Sequence, residues 1–256
     1  MAQVLIPLPN CDFDPTEVAI PWLVLSRMGH EMRFATPAGT AASADPRMVA
    51  GTGLGPWKAI LRADRRGREA YAAMQADAAF REPWSYAQAA TQRIDGLILP
   101  GGHAPGMRAY LESTVLQEIV SAAFAAGWPV GAICHGVLLA ARTRDAGGKS
   151  VLYGRKTTAL TRALELGGWL MTPWLGRYYR TYPLTVQAEV TAVLAQPDHF
   201  ITGPPAFLRD SPEHPGRGFT VRDGNYLSAR WPGDAHRFAT DFASLLAERS
   251  LQEPRT

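Results

Sequence analysis

The sequence predicts an α/β fold with a doubly wound, mostly parallel sheet covered by helices on both faces. Three observations predict it. Short apolar runs alternate with longer amphipathic stretches through the N-terminal half, two of those runs end in glycine-bearing turns, and 256 residues can bury a large core.

The elements follow in chain order. Val4 to Leu8 is the first apolar run, of strand length. Pro15 to Gly29 reads as a helix, with Val18, Pro21, Trp22 and Leu25 on one apolar face and Gly29 where a helix C-cap belongs. Met32 to Thr36 is the second strand. The segment 45–92 then breaks the rhythm: Gly51, Gly53, Gly55 and Pro56 precede the alanine- and charge-rich stretch Trp57 to Phe80, which predicts one or two amphipathic helices. It reads as a helical insertion that caps the site or lines an interface, or as a solvated decoration. Ile94 to Leu99 is the third strand, Thr114 to Gly127 the next helix and Val130 to Ile133 the fourth strand.

Alternation of this kind demands right-handed crossovers, hence a parallel, flavodoxin-like three-layer sandwich that binds ligands at the carboxyl ends of its strands. The C-terminal half is broken by Pro183, Pro197, Pro204, Pro205, Pro212 and Pro215. Within it, Phe219 to Arg222 and Tyr226 to Ala229, joined by Asp223-Gly224-Asn225, read as a hairpin. A final helix is expected from about Gly233 to Arg249. No repeat or linker divides the chain, so residues 1–256 are expected to form a single domain.

Charge and cysteine content exclude several classes. Lys and Arg number 26 against 23 Asp and Glu, a net charge of +3 too small and scattered to argue for nucleic acid. Cys11 and Cys134 are the only cysteines, which implies no disulfide framework and suits a reducing cytoplasm. Val4-Leu5-Ile6 lacks the charged flank and length of a signal peptide, and no run approaches a membrane span. A cytoplasmic protein with no membrane partner is the expectation.

Chemistry concentrates where strands end. Ala132-Ile133-Cys134-His135-Gly136 has the layout of a nucleophile elbow: an apolar strand, a reactive residue, then a glycine opening a helix. Ala132 and Gly136 let strand and helix approach closely, and a thiol at a helix N-terminus is expected to favour the thiolate. Cys134 reads as a nucleophile or, alternatively, as a buried small hydrophobe. The third strand runs into Pro100-Gly101-Gly102-His103, where the N–H groups of Gly102 and His135 can form an oxyanion hole. The first strand leads to Asn10-Cys11-Asp12-Phe13-Asp14-Pro15-Thr16-Glu17. Glu17 falls in the first turns of a helix, either as an acid or base beside the thiol or as an ordinary helix-start acid. His103 faces the site or is a hydrogen-bonded bystander. Cys134, His135, His103, Cys11 and His30 include no recognised zinc spacing, so no metal is expected. The run Gly176 to Tyr182 reads as a surface loop or subunit contact, with binding of an anionic or planar ligand as the alternative.

Ala132-Ile133-Cys134-His135-Gly136, the Leu99-Pro100-Gly101-Gly102 strand end and Glu17-Val18-Ala19-Ile20-Pro21 together resemble the ThiJ/PfpI family of the class I glutamine-amidotransferase-like superfamily. The resemblance spans most of residues 3–143 and, more weakly, the C-terminal hairpin and helix. It implies that Cys134 is the nucleophile, that Glu17 is the buried glutamate beside it, that Gly102 and His135 are the oxyanion-hole positions, and that the protein is a homodimer. The length and insertion look closer to the larger heat-shock and glyoxalase branch, which implies a small carbonyl substrate, a 2-oxoaldehyde, and no cofactor.

Two departures from the family pattern narrow the chemistry. After the elbow helix, members often place an acid or histidine that orients a catalytic histidine, but here Thr161 or Arg162 stands in its place and Glu165 reads as an exposed helix residue. A complete cysteine–histidine–acid triad is therefore not expected. Amidotransferases use His-x-Glu before a late helix, whereas this chain has Asp234-Ala235-His236, which argues against glutaminase chemistry. Asp234 and His236 remain secondary candidates to approach the crevice, Asp234 otherwise serving the helix N-terminus. The alternatives to a 2-oxoaldehyde-converting enzyme are a thiol amidase or peptidase-like hydrolase and an oxidant-sensing stress protein with holdase action.

Overall fold

The computed structural model describes residues 1–252. In chain order, β1 (Gln3–Pro7) and β2 (Cys11–Phe13) precede α1 (Pro15–Arg27), β3 (Glu31–Thr36) and β4 (Ser43–Ala44). Short elements follow: α2 (Pro46–Ala50), α3 (Lys58–Leu61), α4 (Arg65–Met74), α5 (Ala78–Arg81), β5 (Trp84–Ser85) and α6 (Tyr86–Ala89). The chain continues through β6 (Gly96–Leu99), α7 (Arg108–Leu111), α8 (Thr114–Ala125), β7 (Val130–Ile133) and α9 (Gly136–Arg142). It ends with α10 (Arg162–Met171), α11 (Val186–Val193), β8 (Thr220–Asp223), β9 (Tyr226–Ala229) and α12 (Ala235–Gln252).

Seven strands form the main sheet in the order β5-β3-β1-β6-β7-β9-β8, and β2 pairs with β4 in a separate two-stranded sheet. All main-sheet pairings are parallel except β8 with β9. The expected doubly wound α/β architecture is thus present. β6 and β7 are buried along their whole lengths, as a sheet covered on both faces requires. α1 packs against α4 and α12, while α9 packs against β6, β7, α8 and α11. No described helix is long and apolar enough to cross a membrane.

Local chemistry explains the boundaries. Asp14 caps α1 by accepting the N–H groups of Thr16 and Glu17, Pro15 opens the helix, and Gly29 at φ +82° turns the chain after it. The hairpin pairs Asp223 with Tyr226 across a two-residue loop whose Gly224 has φ +60°. α12 begins two residues later than expected, because Pro232 to Asp234 forms a 3-10 turn first.

Segment 45–92 departs from the expected one or two helices over 57–80. Asp64 and Asp77 each accept a backbone N–H and start a new helix, so α3, α4 and α5 are three separate pieces. Nor is the segment wholly helical, since Trp84–Ser85 pairs with β3 as the sheet's edge strand. Pro83 stands immediately before this strand, at a position that suits an edge.

Candidate active site

Cys134 and His135 form the turn between β7 and α9. Cys134 has φ +57°, a left-handed conformation costing a non-glycine residue on the order of 1 kcal/mol or more. Neighbouring backbone holds it there. Its N–H donates to Ala229 O of β9 at 3.1 Å. On the other side the chain passes so close to β6 that a Cβ on Gly136 would stand 2.1 Å from Leu99 O. Gly101 is confined likewise: a Cβ there would lie 2.7 Å from His135 N and 2.8 Å from Glu17 Oε2.

Glu17 reaches this turn from the first turn of α1 and is 0% exposed. Its Oε2 accepts the Gly101 N–H at 2.7 Å, and the carboxyl interacts with the Cys134 thiol. Burial, reinforced by repulsion from Asp14, holds the Glu17 carboxyl well above its usual range. Asp14 is itself pushed up to about 6, chiefly by burial. Glu17 is thereby biased toward the protonated carboxylic acid, the form able to give a proton.

The thiol behaves differently from the expectation. Burial, followed by the charges of Glu17 and Asp14, pushes Cys134 well up, although a bond from the His135 N–H acts the other way. Only 3% of Cys134 is exposed, and α9 is seven residues long. The field of a short helix is outweighed by desolvation, so the resting group is a thiol rather than a thiolate.

His135 Nδ1 lies 3.6 Å from Cys134 Sγ, and its Nε2 lies 3.3 Å from Thr181 Oγ1. The Thr181 hydroxyl spends its only proton on His103 O, at 2.7 Å. Toward His135 it can only accept, so Nε2 carries the imidazole proton and Nδ1 presents a lone pair to the thiol. Burial, followed by the proximity of the His103 ring and the Arg142 guanidinium, pushes His135 down to about 3, which keeps the ring neutral at rest. Thr181 thus occupies the orienting position that an acid fills in a triad. Thr181→Val is expected to lower kcat of the thiol-dependent reaction about tenfold with KM little changed, the value of one hydrogen bond. Thr181→Ser should restore it, and a shift of the His135 tautomer, read by nitrogen NMR, should accompany the loss.

The other sequence candidates lie in varied surroundings. Gly102, at φ +155°, donates its N–H to no described residue, and a Cβ on it would meet Asp12 O at 2.7 Å. His103 stacks on Tyr179 at 4.3 Å and meets the edge of Tyr178 at 4.7 Å. Its Nε2 is buried without a partner, and burial pushes it down to about 3. Asp234 is bound by Arg230 at 2.9 Å through both oxygens and also accepts the Phe219 N–H. His236 sits among Asp64, Arg66 and Glu213. Neither residue joins the Cys134 cluster, because an internal ion pair holds the first and helix-start packing the second.

Thr161 caps α10 by accepting the Leu164 N–H. Glu165 is buried rather than exposed, at 2%, since it accepts the Val186 N–H at 2.8 Å and pairs with Arg180 at 3.2 Å. The run Gly176 to Tyr182 is likewise no mere surface loop: it brings Tyr178 to Asp45, Tyr179 to His103 and Thr181 to His135. Sequence reasoning missed these residues as site components, and the cluster of tyrosines was the available signal.

The family model described as ThiJ/PfpI family-like matches residues 8–204. An uncharacterized protein of Schizosaccharomyces pombe is 26% identical over 121 residues, 46% of this chain and 44% of that relative, so the match spans less than half of that protein. The pyridoxal 5'-phosphate synthase subunit PdxT of Bacillus mycoides is 24% identical over 176 residues, 63% of this chain and 81% of its own. Among solved structures, glyoxalase III of Candida albicans superposes with TM-score 0.66 at 22% identity, covering 95% of this chain and 97% of its own. DJ-1beta of Drosophila melanogaster gives 0.57 at 18%, covering 98% and 94%. At these identities the structural likeness establishes a shared fold.

Proposed function

Because the chain belongs to the ThiJ/PfpI-like family, we propose that its site is that of a cofactor-independent cysteine enzyme converting small 2-oxoaldehydes to 2-hydroxy acids, methylglyoxal to lactate being the simplest case. One observation carries the reading: a buried carboxyl, Glu17, held toward its protonated form, stands against a strained thiol, Cys134, with His135 Nδ1 on the same sulfur. Such a trio can move protons between carbon and oxygen without a metal or an organic cofactor.

In the proposed course, Sγ bonds to the aldehyde carbon while the thiol proton passes to His135 Nδ1. Glu17 protonates the new alkoxide, which completes a hemithioacetal. The Gly102 and His135 N–H groups stabilise the charge developing on oxygen. Glu17, now a carboxylate, removes the hydrogen from the former aldehyde carbon as the imidazolium protonates the ketone oxygen, giving an enediol. Glu17 returns that proton to the neighbouring carbon and takes the hydroxyl proton, leaving a thioester. Water adds to the thioester, the carbon–sulfur bond breaks, and the sulfur leaves as the thiol. One aldehyde and one water become one hydroxy acid, with no net oxidation.

The expected result is lactate from methylglyoxal, measured enzymatically with purified protein, and none from Cys134→Ser. Equal rates in the two proteins would sink the proposal. A second reading, thiol-dependent amide or peptide hydrolysis, is favoured by the same His135–Cys134 contact. Release of a chromophore from peptide anilides in the same assay separates the two.

A further inference from the structure

Next to the site lies a cavity of about 640 Å³ whose lining includes His103 and Thr181, together with Arg47, Arg108, Arg177 and Arg180. Thr181 Oγ1 is 3.3 Å from one ring nitrogen of His135, and Cys134 Sγ is 3.6 Å from the other. The cavity is therefore separated from the thiol by the width of one imidazole ring.

The charges in this cavity are unequally committed. Arg180 is paired with Glu165. Arg108 donates one nitrogen to Thr181 O at 2.7 Å and lies 5.1 Å from the centre of the Tyr182 ring, and Arg47 lies 5.1 Å from the centre of the Tyr178 ring. Neither is in an ion pair among the described residues. Arg177 is exposed, and its guanidinium has no described hydrogen-bond or ion-pair partner. Two carboxylates also stand in the lining: Asp12 accepts the Gly106 N–H, and Asp45 accepts the Arg47 N–H and the Tyr178 hydroxyl. Four guanidinium groups, three of them outside any described ion pair, thus line a space that holds two carboxylates, which leaves an excess of positive charge there. His103 adds a buried nitrogen with no partner. Guanidinium groups gathered at a concave site match the oxygen geometry of carboxylates and phosphates.

We infer that this cavity binds the anionic end of the substrate, and that the physiological substrate is a carbonyl compound carrying a carboxylate or phosphate. The inference rests on the reading of Cys134 as the nucleophile and names the class of compound that reaches it. Arg177 and Arg47 are the specificity-determining residues, with Arg108 fixing both the anion and the Thr181 carbonyl.

The test avoids turnover, so that it stands apart from the glyoxalase reading. In a Cys11→Ser background, Cys134 is alkylated with iodoacetate and with iodoacetamide, which share a reacting carbon and differ in charge, and peptide mass spectrometry reads the rates. The ratio of the two rates cancels differences in thiol access. That ratio is expected to exceed the ratio for free cysteine, to fall about fivefold in Arg177→Ala and further in Arg177→Glu, and to decline as salt is raised. Arg177 is exposed, so both variants fold, and circular dichroism checks this. Inorganic phosphate and acetate, added separately, should slow iodoacetate: stronger slowing by phosphate identifies a phosphorylated substrate, and equal slowing a carboxylate. A ratio equal to that of free cysteine and unchanged in both arginine variants, or no slowing by either anion, would overturn the inference. Failure to make lactate from methylglyoxal, with the ratio behaving as stated, would instead remove the glyoxalase reading and leave the anion site standing.

Discussion

Glu17→Gln reduces thiol-dependent turnover by on the order of 10³-fold and at the same time makes the protein more resistant to heat above neutral pH. The two effects have one origin. Glu17 is fully buried beside Asp14 and Cys134, and burial and like charge hold its carboxyl well above the usual range. In the unfolded chain the same group ionises near pH 4.3. The folded state therefore binds a proton that the unfolded state has lost. The sign follows: the wild type keeps its full stability below about pH 4.3 and loses it as pH rises toward the folded value, at up to about 1.4 kcal/mol per pH unit. Glutamine keeps an acceptor oxygen for the Gly101 N–H and never ionises, so the variant escapes that loss. Thermal midpoints at pH 4.5 and pH 8 should show the variant gaining on the wild type as pH rises, while its lactate production falls to background. A difference in midpoint that does not change with pH would mean that Glu17 is already ionised in the folded protein, and the proton-transfer role would go with it.

The elements of that site differ in how plainly the sequence displays them. β1, β3, β6 and β7 are apolar runs with helices between, so period and length alone locate four central strands, and the parallel sheet brings their carboxyl ends to one edge. Gly102 and Cys134 follow such strand ends directly and Glu17 opens the helix after the first of them, so these candidates are legible, whereas the Gly101 N–H that Glu17 binds is not singled out. Thr181 is not legible either. It comes from an irregular run 46 residues beyond His135, where no periodicity fixes direction, and its role depends on a hydroxyl already committed to His103 O. Asp45 and Tyr178 meet across 133 residues, a contact that only the packing of segment 45–92 against that run creates. Glu165 misled for a related reason. A carboxylate in the first turn of a helix usually faces solvent, but here Arg180 and the start of α11 close over it.

Gly136→Ala tests the elbow itself, and the expected effect is the largest on folding of any single methyl group in this region. A Cβ at 136 would stand 2.1 Å from Leu99 O, 2.6 Å from Pro100 O and 2.7 Å from Leu99 C. All three are backbone atoms of the strand end that also carries Gly101, and β6 is fully buried between β1 and β7. No rotamer can relieve the contact; either β6 or the start of α9 must move. Overpacking of this kind costs about 3 kcal/mol or more, which for a chain of this size lowers the thermal midpoint by roughly 6–12 °C. Gly154→Ala is the matched control, since a Cβ there meets nothing within 4 Å, and its midpoint should not move. Activity should separate from stability in an informative way. Below the lowered midpoint the folded fraction of Gly136→Ala should still lack turnover, because displacing α9 moves His135 N and the Cys134 sulfur away from Gly101 and Glu17. Full activity in the folded fraction would show that the thiol does not need the strained turn to work.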